Sequence, residues 1–133
     1  MPIPRILFAV PLIAAGVLLP AAGAALQAPA TGAIGMDHEV FTQDAVTIKQ
    51  GQTLTLTNNS RWIHIIGLGK GGRIQDSNPA VPIDYRRLME ENTSYTSGKW
   101  ETPGTYFITC SVHPLMTVKV VVEKCDCCGG GGC

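Results

Sequence analysis

Hydrophobic and polar positions alternate with a period of two through the middle of the chain. Val46 and Ile48 stand against Thr47 and Lys49, Gln50-Gly51 supplies a turn, and Thr53-Leu54-Thr55-Leu56-Thr57 alternates again. This period, carried by β-branched residues, predicts half-buried strands. Asn58-Asn59-Ser60 reads as a turn cluster. Trp62-Ile63-His64-Ile65-Ile66 after it is apolar on both faces, as a strand inside an assembly should be. Gly67, Gly69, Gly71 and Gly72 are expected to end that strand. Over 83–91 the pattern changes, and Ile83, Arg87 and Leu88 could share a helical face, so one short helix is predicted there. Strand signals return over 94–97, 99–101 and 106–110. They close with Thr117–Glu123, where Val118, Val120 and Val122 share one face and Thr117, Lys119 and Glu123 the other. Short strands punctuated by turn residues predict an all-β fold, an antiparallel Greek-key β-sandwich.

The alternation is absent upstream. Arg5 is the only charged side chain before Asp37, and an apolar run over 6–19 is followed by Ala22-Gly23-Ala24. A basic residue, an apolar stretch and an A-x-A site are the marks of a secretory signal, cut here after Ala24. The competing reading is an uncleaved membrane anchor, but Pro11, Gly16, Pro20 and Gly23 interrupt the run. Residues 27–36, QAPATGAIGM, are a small-residue linker with little to bury. The expected division is a signal peptide over 1–24, a linker and first strand over 25–43, one domain over 44–124 and a Cys/Gly-rich tail over 125–133. An exported chain places the protein in the periplasm or outside the cell, with membrane contact only if the signal is retained.

Composition narrows the function classes. With 15% charged residues, 45% hydrophobic residues and ten basic against ten acidic side chains, disorder by charge repulsion is excluded. Loss of Arg5 with the signal leaves a net charge of −1, so no nucleic-acid footprint exists. A single compact monomeric domain is expected.

The chemistry lies in the last hairpin. Cys110-Ser111-Val112-His113-Pro114-Leu115-Met116 offers a thiolate, an imidazole and a thioether within seven residues. Alone, a Cys or Met in such a place is core filler and a His a satisfied core group. Together, a thiolate and two imidazoles in a trigonal arrangement with a weak thioether contact make an electron-transfer copper site. The second imidazole must come from elsewhere, and His38 and His64 are the only other histidines. His64 sits on an apolar strand where an unpartnered imidazole would be costly, whereas His38 lies between Asp37 and Glu39 and reads as a solvated surface residue. The expected metal ligands are therefore His64, Cys110, His113 and Met116, and the expected cofactor is one copper ion cycling between Cu(I) and Cu(II).

At these residues the chain resembles the cupredoxins, small blue copper proteins of the amicyanin and plastocyanin kind. The resemblance runs from about Asp44 to Glu123 and rests on VTIKQGQTLTLTNN, His64 and ETPGTYFITCSVHPLMTVKVVVE. It implies His64, Cys110 and His113 as equatorial ligands and Met116 as axial. It also implies that redox partner proteins dock at the exposed edge of His113. Many relatives place Asn after the first ligand His, where it ties the ligand loops together; here Ile65 follows. The implied function is a type 1 copper carrier shuttling single electrons between partners, not an enzyme, since catalytic relatives need several such units and more histidines. The alternative is a copper chaperone or store that also uses the tail, which carries Cys125, Cys127, Cys128 and Cys133. That tail could bind Cu(I), form disulfides or have no specific role. A metal-free binding module is disfavoured because all four ligand types are present.

Overall fold

The structure is a computed structural model that describes residues 32–125. The signal segment over 1–24 and the tail beyond residue 125 lie outside the described residues. Nine strands are arranged in two sheets. The smaller sheet orders β1 (Gly32–Met36), β3 (Leu54–Asn58) and β7 (Ser94–Thr96). The larger runs β2 (Ala45–Lys49), β9 (Thr117–Glu123), β8 (Gly104–Cys110), β4 (His64–Lys70) and β5 (Arg73–Ile74), with β6 (Arg87–Met89) also on β4.

Alternation decides which side chains meet between the sheets. Leu54 and Leu56 of β3, Ile48 of β2, Ile108 of β8 and Val118, Val120 and Val122 of β9 are all buried in one core. Trp100 plugs that core without belonging to a strand. Its amide donates to Gln52 O at 2.9 Å, its carbonyl accepts from Gly51 N at 2.9 Å and its indole N–H donates to Ser97 Oγ at 3.0 Å. In place of the strand expected over 99–101, Trp100 alone is a buried plug whose backbone is satisfied by a turn, between exposed Lys99 and Glu101.

Four further expectations are corrected. The sandwich is not antiparallel throughout: β1 runs parallel to β3 and β2 parallel to β9. Residues 37–44 carry the chain from one sheet to the other, so its first two strands pair with different sheets. Part of the stretch read as a linker is β1, whose Ile34 and Met36 are buried in the core. The helix predicted over 83–91 does not form. Arg86 takes a left-handed φ of 55°, and Arg87–Met89 pairs antiparallel with His64 to Ile66 instead. Met89 is then buried while Leu88 is exposed, the period of a strand. The open edge of β4 offers hydrogen bonds that outweigh a weak local helical pattern. Finally, the glycines do not end β4, which begins at His64 and runs through Gly67 and Gly69. Gly67 has no side chain because Ile74 packs there: a Cβ would lie 2.8 Å from its Cγ2. Trp62 and Ile63 precede the strand and are exposed.

Candidate metal centre

The end of the sandwich where β8 turns into β9 is closed by a tight loop. Met116 N donates to His113 O at 2.9 Å, and Cys110 N donates to Met116 O at 3.2 Å. The Thr109 hydroxyl donates to the same Met116 carbonyl at 2.7 Å. These bonds fold the six residues after Cys110 back on themselves and aim Cys110 and His113 at the start of β4. That neighbour is fixed in register, with Ile66 opposite Cys110 and His64 opposite Met89. Ser111 N donates to Ile65 O at 2.9 Å and ties the loop to β4 just beyond His64.

Three donor atoms converge as a result. Cys110 Sγ lies 3.7 Å from His64 Nδ1 and 3.9 Å from His113 Nδ1, and the two nitrogens are 3.2 Å apart. A triangle with those sides has a circumradius of about 2.1 Å, so one point lies about 2.1 Å from all three atoms. Metals such as zinc bind nitrogen and sulfur at about 2.0–2.3 Å. The triangle therefore fits a metal ion without moving any of the three side chains. His64 and Cys110 are fully buried and His113 half-buried. Cys110 is the only free cysteine among the described residues, Cys125 being in a disulfide. Met116 is fully buried in the core cluster that includes Cys110. His38 stays outside the triangle and exposed, as expected, but its ring has company. It stacks on Trp62 with centroids 4.5 Å apart and planes 13° from parallel, and meets His113 edge-on at 5.2 Å.

Known proteins are similar in sequence and architecture. The chain is 35% identical over 83 residues to amicyanin-alpha of Methylorubrum extorquens, an alignment covering 62% of this chain and 64% of that relative. Among solved structures, amicyanin from Paracoccus versutus matches 73% of this chain and 86% of its own, at 26% identity and a TM-score of 0.55. A reduced Cu(I) form of an amicyanin mutant matches 72% of this chain and 85% of its own, at 23% identity and a TM-score of 0.57. No family model matches the chain. The chain has the cupredoxin fold.

In this fold the protonation of His64 follows from its neighbours. Asn58, at the buried end of β3, donates through Nδ2 to the carbonyls of Trp62 at 2.7 Å and Glu90 at 2.9 Å, with a longer contact to Met89 O at 3.3 Å. Its Oδ1 therefore faces Ser60 and accepts from Ser60 N at 2.9 Å and Ser60 Oγ at 2.8 Å. When the Ser60 hydroxyl gives its proton to Asn58, it accepts from His64 Nε2, 3.1 Å away. The proton on Nε2 leaves the Nδ1 lone pair pointing into the triangle. Burial, then the neighbouring His113 and His38 imidazoles, lower the His64 pKa from 6.5 to about 4, which keeps the ring neutral.

The structure brings His64, Cys110 and His113 together, and the sequence reading overlooked Asn58 and Ser60. A signal for Asn58 was present. The alternation that buries Leu54 and Leu56 also buries position 58, and a polar side chain there must have partners. It ties together the segments around Trp62 and Glu90, next to the His64 strand that Ile65 leaves without an Asn tie.

Proposed function

We propose that this chain holds one copper ion through His64, Cys110 and His113, with Met116 as the weak axial donor, and carries single electrons between redox partner proteins outside the cytoplasm. The observation that supports it is the triangle of two imidazole nitrogens and one cysteine sulfur around a point about 2.1 Å from each. Copper in such a donor set supplies one-electron exchange between Cu(I) and Cu(II). The chain's own contribution is rigidity. Ser60 fixes the His64 ring, the pairing of β4 with β8 fixes Cys110, and the hydrogen-bonded loop fixes His113, so both oxidation states meet nearly one geometry.

His113 is the donor nearest to solvent, and Val112, Leu115 and Trp62 around this end are exposed. An apolar rim of this kind suits brief docking, in which a small contact releases quickly. Export fits the uncharged N-terminal run, and carriage rather than catalysis fits one domain with three histidines. Titration of the apo-protein with Cu(II) tests the reading. The intense visible absorption of a thiolate bound to Cu(II) should appear at one equivalent and be absent in Cys110→Ala. A colourless wild-type adduct would end the assignment.

A further inference from the structure

Among the described residues two of the three converging donors are fully buried and His113 is half-buried, so the side of His113 is the open approach to the triangle. The surface on that side is short of donors. Val112 and Leu115 are exposed, and with Pro114, His113 and Glu39 they line a depression of about 200 Å³. A hydrated cation arriving over apolar side chains would have to shed its water before finding a new ligand, which is unfavourable. Among the described residues, His38 and Glu39 are polar groups placed to relieve that. Glu39 lines the depression beside His113, and the His38 ring lies edge-on to His113 with centroids 5.2 Å apart. Neither His38 nitrogen has a hydrogen-bond partner among the described residues, and stacking on Trp62 holds the ring in place. An imidazole with free lone-pair capacity, oriented by a neighbour and set next to a ligand, is underused as a mere surface residue.

We propose that His38 and Glu39 form an uptake point for the metal. The His38 imidazole and the Glu39 carboxylate take Cu(II) from water in exchange for some of its aquo ligands. They then pass it across His113 into the triangle, where Cys110 gives up its thiol proton to solvent and binds as thiolate. No electron moves in this step. The inference rests on the copper reading, but concerns the route to the site and not its final geometry, since neither residue belongs to the triangle.

Trp62 provides a reporter, because Cu(II) held by a ring stacked on an indole quenches its fluorescence. The experiment is stopped-flow mixing of apo-protein with copper(II) sulfate, following tryptophan emission and visible absorption together. Wild type should show early quenching followed by growth of the visible band. In His38→Phe, which keeps an aromatic ring against Trp62 but has no nitrogen, the early quenching should vanish. The band should then grow about tenfold more slowly, a barrier increase of about 1.4 kcal/mol. It should still reach the wild-type spectrum and end point. Glu39→Gln should slow uptake by a smaller factor. If His38→Phe takes up copper at the wild-type rate, or keeps the early quenching, the ring serves packing and the proposal is overturned. A wild-type adduct that quenches Trp62 through His38 yet stays colourless supports the uptake point while refuting the type 1 site.

Discussion

Cys110, His113 and Met116 take their places from a loop whose internal hydrogen bonds span three to seven residues, whereas His64 takes its place from Asn58, which reaches carbonyls 31 and 32 residues away. One half of the proposed metal centre is built by a single hairpin and the other by the meeting of four separate segments. The hairpin half keeps its internal geometry whenever β8 and β9 pair, and β4 alongside only anchors it. The His64 half depends on β3, the segment before β4 and the residues around Glu90 all arriving together. Disturbance elsewhere in the molecule should therefore reach the metal through His64 before it reaches Cys110.

The largest effect is expected at the hub of the long-range half. Asn58 is fully buried and uses both ends of its amide, so Asn58→Ala strands buried carbonyls as well as removing bonds. A loss of about 3 kcal/mol in the apo-protein is expected from urea unfolding. A loss below about 1 kcal/mol would mean that strand pairing alone places His64, and the contrast between the halves would disappear.

Ser60→Ala sharpens the same contrast at one remove. It leaves the Asn58 bonds to the carbonyls intact and deletes the hydroxyl that meets His64 Nε2, Asn58 Oδ1 and Trp62 N. Removing an outer partner of a ligating imidazole weakens metal binding by about 10–100-fold, and a competition titration against a copper chelator reads this directly. Unchanged affinity would show that packing, not Ser60, orients the ring.

This contrast also explains what could be read from the sequence. Thr117–Glu123 appears in the structure with the bounds and faces its alternation predicted, because Val118, Val120 and Val122 need only one neighbouring layer to bury them. Cys110 and His113 were legible for a related reason: three residues apart across a tight turn, they must face the same way. Arg87 to Met89 was misread because its partner, the edge of β4, lies more than twenty residues upstream and no local pattern announces it. The parallel joints of β1 and β2 were hidden likewise. Whether a strand runs parallel or antiparallel depends on where the chain crosses between sheets, and 37–44 carries no residue that says so. The stack of His38 on Trp62 joins residues 24 positions apart in two irregular segments, where neither period applies.

In the hairpin half, Met116→Leu separates the thioether from the volume it fills. Met116 is fully buried, and a swap of similar size costs less than about 1.5 kcal/mol, so the fold and the metal should both be retained. The reduction potential should shift, because the proposed axial contact is weak and is all that is lost. Voltammetry decides: an unchanged potential would remove Met116 from the ligand set, and loss of the metal would mean its contact is not weak.

The smallest effects on stability belong to the surface, where the two regions differ in what they do and not in how they are held. Leu115 stands 86% exposed at the tip of the ligand loop, and Lys49 pairs with Glu123 across β2 and β9, the pair of strands at the opposite edge of the large sheet from β5. Leu115→Glu and Lys49→Ala should each change unfolding free energy by less than about 0.5 kcal/mol, since neither buries its side chain and an exposed ion pair contributes little. Their effects on electron self-exchange should diverge. A carboxylate at position 115 puts like charges face to face when two copies approach through their His113 edges, and it also wets the apolar rim. Exchange between the Cu(I) and Cu(II) forms, followed by NMR line broadening, should slow in Leu115→Glu with the visible spectrum intact, and should stay at the wild-type rate in Lys49→Ala. If the lysine variant slows and the leucine variant does not, electrons leave by the face of the sheet, and the ligand loop, for all its exposure, is only the lid of the site.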